Sequence, residues 1–135
     1  MAESVSLEMQ GWIVSTLRND PGLQALLGQR VYDRVPDAPV FPYISYGPET
    51  ESNEYPDCID AASLEIQLDA WSREVGYPEV KRIDAAVHAA LHDQDIALPV
   101  NACCCLYHVN TLFLRDPDGL TNHAVIQLEA YVERT

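Results

Sequence analysis

The chain has 135 residues, 47% of them hydrophobic, with 21 acids against eight bases and a formal net charge of −13. This is one domain's worth of sequence, able to bury roughly two-thirds of its unfolded surface without disulfide staples. Its charge excludes ordinary nucleic-acid binding, because affinity for a phosphate backbone rests on Lys and Arg.

No apolar run approaches the ~20 residues that span a bilayer, so no membrane partner is expected. Met1-Ala-Glu-Ser4 has neither the basic region nor the apolar core of a signal peptide, so a cytosolic setting is expected. Four cysteines, Cys58 and Cys103-Cys104-Cys105, form no disulfide framework. Neighbours in an extended strand point to opposite faces, and reduced thiols acting as small hydrophobes are the expectation.

Ser4 to Arg18 predicts an amphipathic helix, with Val5, Met9, Trp12, Ile13 and Leu17 at three- and four-residue steps. Asn19-Asp20-Pro21-Gly22 stops it. Asp20 then caps a short second helix with Pro21 at its first position, Leu23, Leu26 and Leu27 as contacts and Gly28 as terminator. Val31 to Val35 reads as a brief extended piece before the proline-punctuated Pro36 to Pro42.

Phe41 to Gly47 predicts a strand, with Pro42 at its start where a missing donor is tolerated. Pro48 to Ala62 holds Glu49, Glu51, Glu54, Asp57 and Asp60 with no base. It is expected to be a mobile acidic loop between two paired strands. Leu64 to Ser72 alternates: Leu64, Ile66, Leu68 and Ala70 face one way, and Glu65, Gln67, Asp69 and Trp71 the other.

Gly76 to His92 predicts the main helix, with Pro78 in its first turn and a narrow stripe of Val80, Ile83, Val87, Ala90 and Leu91. Such a helix lies on a sheet. Cys103 to Leu114 and Asn122 to Glu133 form a final strand pair around the turn Arg115-Asp-Pro-Asp-Gly119, in which Pro117 presets one angle and Gly119 supplies positive φ. Ala124, Ile126, Leu128, Ala130 and Val132 should point inward. His123, Val125, Gln127, Glu129, Tyr131 and Glu133 should point outward. The expected fold class is α+β: a mostly antiparallel four-stranded sheet with helices packed on one face, in the order α-α-β-β-α-β-β.

Chemistry is hard to find in this pattern. His88 and His92 have metal-ligand spacing, but His88-Ala-Ala-Leu-His92 lacks the glutamate of the zinc-protease motif and lies off the apolar stripe. A solvated polar flank is expected. The cysteines lack the two-residue gap of zinc ribbons. Cys104 with His123 would be an accident of paired strands, and Glu49 with Glu51 sits on a loop too exposed for acid–base work. With no Gly-rich phosphate loop either, the expectation is a non-enzyme without metal or cofactor. Trp71, Tyr107 and Tyr131 are large aromatics on the less buried sheet face, a residue type enriched in interface cores.

Four blocks occur in fixed order: Arg34-Val-Pro36 to Phe41-Pro-Tyr43, the strand ending Trp71-Ser72, Gly76-Tyr77 opening Val80-Lys-Arg-Ile83, and Asp116 to His123. Together they resemble the tail-completion (tail-terminator) family of long-tailed phages, prophages and gene-transfer particles, over most of the chain. The resemblance implies a structural virion protein that forms a ring, commonly a hexamer, on the head-proximal end of the tail tube. Its implied partners are other copies of itself, the tail tube protein and the head connector or stopper protein. DNA would pass through without specific binding, and the protein would be assembled in the host cytoplasm and end at the neck end of the tail.

On that footing the acidic segment Glu49, Glu51, Glu54, Asp57 and Asp60 is the candidate lumen or ring-face element. Trp71, Tyr107, Gln127, Glu129 and Tyr131 are the candidate subunit contacts. The cysteine triplet and the long acidic segment lie outside the family pattern. Rival readings are another neck or head-closure adaptor and a non-viral acidic interaction module.

Overall fold

In a computed structural model, which describes residues 2–135, three helices cover one face of a five-stranded mixed sheet. Helix α1 (Val5–Asn19) is followed by α2 (Pro21–Leu27), a two-residue strand β1 (Val31–Tyr32) and the long strand β2 (Tyr43–Glu54). One helical turn at Pro56–Cys58 leads into β3 (Ala61–Ser72), then α3 (Pro78–Leu91), β4 (Ala102–Arg115) and β5 (Asn122–Glu133). The strands lie in the order β1-β2-β3-β5-β4; β1 runs parallel to β2 and the other pairs are antiparallel.

The helices form where periodicity and caps agree. Ser4 Oγ accepts the Leu7 N–H at 3.1 Å and opens α1, and Asp20 does the same for Leu23 at 3.0 Å in α2. Gly28, at φ 61°, ends α2 in a conformation that costs other residues more. Val5, Met9, Ile13 and Leu17 from α1 and Val80, Ile83, Val87 and Leu91 from α3 are buried on the sheet's inner face. Against them lie Leu64, Ile66, Leu68, Ile126 and Leu128. Each such side chain contributes about 1.5–3 kcal/mol on burial.

Two expectations need correction. The sheet has a fifth strand: β1 pairs Val31 with Ile44 and Tyr32 with Ser45 in parallel. With only two residues, it has no alternation to read. The acidic segment is also mostly strand rather than loop. β2 runs on through Glu54, pairing Glu49 with Ile66, Glu51 with Leu64 and Glu54 with Ala61. Glu51 and Glu54 stay exposed, but β3 still satisfies their backbones.

A bulge between Tyr46 and Glu49 makes this continuation possible. Gly47 sits there because a Cβ would lie 2.7 Å from Asp69 Oδ2 and 2.9 Å from the Gln67 carbonyl. Arg134 clamps the hairpin end, reaching Asp60 at 2.8 Å, Asn53 at 2.6 Å and Glu51 at 3.4 Å. Among the described residues no helix is long and apolar enough to cross a membrane.

Candidate functional site

The helices leave the outer sheet face bare, and the strand registers set what it presents. Trp71 lies opposite His123, Gln67 opposite Gln127, Glu65 opposite Glu129 and Ser63 opposite Tyr131. On the far side of β5, Tyr107 lies opposite Glu129 and Cys105 opposite Tyr131. The outward residues predicted from alternation in β3 and β5 therefore share one surface. Its outward strand positions carry five acids (Glu54, Glu65, Asp69, Glu129 and Glu133) and no Lys or Arg.

One end of this face is aromatic. The Trp71 and His123 rings stack at 3.8 Å between centroids and 12° between planes. His123 Nε2 is 2.7 Å from Asp69 Oδ1; a carboxylate only accepts, so that nitrogen carries the proton. Asp69 Oδ1 also accepts from Gln67 at 3.0 Å, and Gln67 accepts from Gln127 at 3.2 Å. Trp71 Nε1 donates to Ser45 Oγ at 3.0 Å. Phe41 and Tyr43 extend the row, with centroids 5.0 Å apart and Tyr43 6.3 Å from Trp71.

These rings wall a cleft of about 510 Å³ that also holds Asp37, Arg73, Asp116 and Asp118. Arg73 lies over Phe41 at 4.2 Å and reaches Asp118 at 3.9 Å. Backbone N–H donors from Thr121 and Leu120, then the Thr121 hydroxyl, hold the Asp118 carboxyl below its usual range.

The other end forms a shallow cavity of about 410 Å³ among Glu54, Glu65, Cys105, Tyr107, Glu129 and Tyr131. Of the predicted contact residues, Tyr107, Glu129 and Tyr131 thus meet in one place. Gln127 lies midway, and Trp71 lies at the opposite end.

The predicted acidic set does not form a single site. Glu49 turns inward, where Tyr46 donates to Oε1 at 3.0 Å, and its Oε2 is buried with no hydrogen-bond partner among the described residues. Burial, with the Glu49 charge beside it, pushes the Tyr46 hydroxyl well above its ordinary range. Glu51 and Asp60 are tied to Arg134, Glu54 faces outward and accepts from Ser63 at 2.8 Å, and Asp57 sits at the hairpin tip with φ 47°.

His88 is exposed, as expected of a solvated flank, and His92 is half-buried; both also meet β4. His88 Nδ1 lies 2.9 Å from His108 Nδ1, and His92 Nδ1 accepts the His108 N–H at 3.1 Å. His108 Nε2 faces the Asn110 carbonyl and the Thr111 hydroxyl, which in turn donates to Asp84. No periodicity in β4 announced His108, because a bulge between His108 and Asn110 breaks its alternation. The Cys104–His123 pairing does not form: Cys104 lies near the Glu133 end of β5 and His123 near its start.

A family model described as tail completion protein gp17 matches residues 12–133. Among solved structures, the chain is similar to a component of a "virion of native gene transfer agent (GTA) particle", at 27% identity and a TM-score of 0.89. That match covers 96% of this chain and 98% of the other. No curated protein matches.

Proposed function

Because the chain belongs to the tail completion protein gp17 family, and so is a structural protein of a phage-type tail, we propose that it forms a ring at the head-proximal end of the tail tube. The ring, a hexamer on the family pattern, ends tube polymerisation and offers a docking surface to the head connector. The observation that carries this reading beyond the family match is the bare outer sheet face, aromatic at both ends and built at full strand length. A two-layer domain that leaves one layer uncovered has a surface suited to tiling against neighbours.

Charge supports the same role. Six copies at −13 each would carry roughly −80, and an acidic conduit lets DNA slide without binding. In this reading the β2–β3 hairpin, with Glu49, Glu51, Glu54, Asp57 and Asp60, lines the lumen or one ring face. Trp71, Tyr107, Gln127, Glu129 and Tyr131 lie in the contacts between subunits. Such contacts are heterologous, as ring closure requires.

Reconstitution tests the proposal. Purified protein added to growing tail tubes should decorate one end and arrest elongation there. Tubes that keep growing with both ends bare would overturn it.

A further inference from the structure

The molecule's charge is divided unevenly between its two layers. The helices carry three acids (Glu8, Glu79 and Asp84) and three bases (Arg18, Lys81 and Arg82), so the helix layer is balanced. The outer sheet face carries acids alone at its outward strand positions. Its aromatic cleft adds Asp37, Asp116 and Asp118 against a single guanidinium, Arg73. Two such faces brought together would set carboxylate against carboxylate, which costs several kcal/mol. A symmetric, face-to-face pairing of sheets is therefore disfavoured, and the sheet needs a more basic surface.

The cleft also indicates the group it suits. Arg73 already sits over the Phe41 ring, 4.2 Å from its centroid, with its Nε donating to Thr121 Oγ1 at 3.2 Å. A guanidinium thus fits these walls, where ring faces and carboxylates both favour a planar cation. One arginine among three carboxylates leaves two negative charges without a counter-charge in the cleft.

Few bases of this chain are free to supply that charge. Arg18 and Arg30 donate to the Val31 and Pro42 carbonyls, Lys81 and Arg115 lie over Tyr77, and Arg134 clamps the hairpin. Among the described residues, Arg34 and Arg82 remain without a hydrogen bond or ion pair. Arg34 sits in the same loop as Asp37 and Phe41, beside the cleft, so inserting it into a second cleft would bring two acidic rims together. Arg82 is exposed on α3, in the opposite layer. A contact through Arg82 repeats head to tail, as a closed ring demands.

We infer that the outer sheet face of one copy receives the helix layer of the next, with Arg82 of that neighbour entering the Phe41–Trp71–Asp116 cleft. This inference rests on the ring reading above and specifies its subunit contact. Asp116 is the partner to alter, because Asp118 is committed to its own turn.

A charge-swap cycle tests it by native mass spectrometry and sedimentation of the full chain, with and without tail tubes. Arg82→Glu or Asp116→Arg alone should raise the concentration needed for assembly at least about tenfold, and the double variant should recover most of the loss. Arg82→Gln and Asp116→Asn keep the cycle readable if a reversal unfolds the chain: each alone weakens assembly, and combining them adds little. A second readout is Arg82→Lys, which should give a carbodiimide cross-link to Asp116 of another copy. Rings that form normally in both reversals, with no such cross-link, would overturn the contact while leaving the ring reading intact. A wild-type chain that stays monomeric, on tubes as well as in solution, would overturn both.

Discussion

Asp69 and His123 are joined across β3 and β5 by a 2.7 Å hydrogen bond, with the ring of Trp71 stacked on the imidazole. Asp69 is only 7% exposed, although it lies on the uncovered face. The pair links β3 to β5 on this face and stacks against Trp71 beside the cleft.

Removing the imidazole should therefore cost stability. His123→Ala takes away the stacking partner of Trp71 and one hydrogen bond to a largely buried carboxylate. Losses of this kind amount to about 1–3 kcal/mol. Urea unfolding followed by tryptophan fluorescence checks this, and the emission of Trp71 should shift as its ring is freed.

Glu8 gives a prediction with a pH sign. Burial pushes its carboxyl up, but hydrogen bonds from the Asn101 and Val100 backbone and the Asn101 amide outweigh this and lower it. A carboxylate depressed in the folded state stabilises fully above its unfolded value of 4.5, and that contribution fades as pH falls through the folded value. Glu8→Gln should thus be clearly less stable than wild type at pH 7, and the gap should narrow by pH 3. Chemical denaturation at both values measures it.

Arg134 ties the hairpin end to the body of the sheet. In Arg134→Ala the contacts to Asp60, Asn53 and Glu51 are lost, while the backbone bond from the residue 134 amide to Asp60 remains. Amide hydrogen exchange between residues 51 and 60 should speed up by about tenfold or more, with global stability changed little. Uniform exchange across the chain would contradict the clamp.

Thiol reactivity should separate Cys58 from Cys103. Burial pushes the Cys103 thiol up to about 11, outweighing a backbone hydrogen bond from Cys105, whereas Cys58 is exposed at the hairpin tip. Alkylation at pH 8 should therefore modify Cys58 well before Cys103, as mapped by peptide mass spectrometry.

How far the sequence could be read depended on whether each signal was local. The stripes Val5-Met9-Ile13-Leu17 and Val80-Ile83-Val87-Leu91 repeat within their own helices, so both helices and their buried faces were legible. The alternation of Leu64 to Ala70 and Ala124 to Val132 likewise assigned the two central strands their inner and outer residues. Strand β1 was not legible as a paired strand, because two residues carry no pattern and their partner lies across a proline-rich loop. Glu49 to Glu54 read as loop because pairing depends on β3's backbone, which side-chain polarity does not report. The aromatic cleft drew on residues 37–43, 71–73 and 116–121, three separate stretches brought together only by the fold. Trp71 was marked in advance by its size and outward position, but Arg73 and Asp116 were not.

The central claim is that this protein ends the tail tube and joins it to the head. The most direct test is to delete its gene in the producing strain and measure tail length and head attachment by negative-stain electron microscopy. The account predicts overlong or ragged tubes detached from filled heads. Complete particles with tails of normal length would contradict it, and headless tails of normal length would reassign the protein to a connector role.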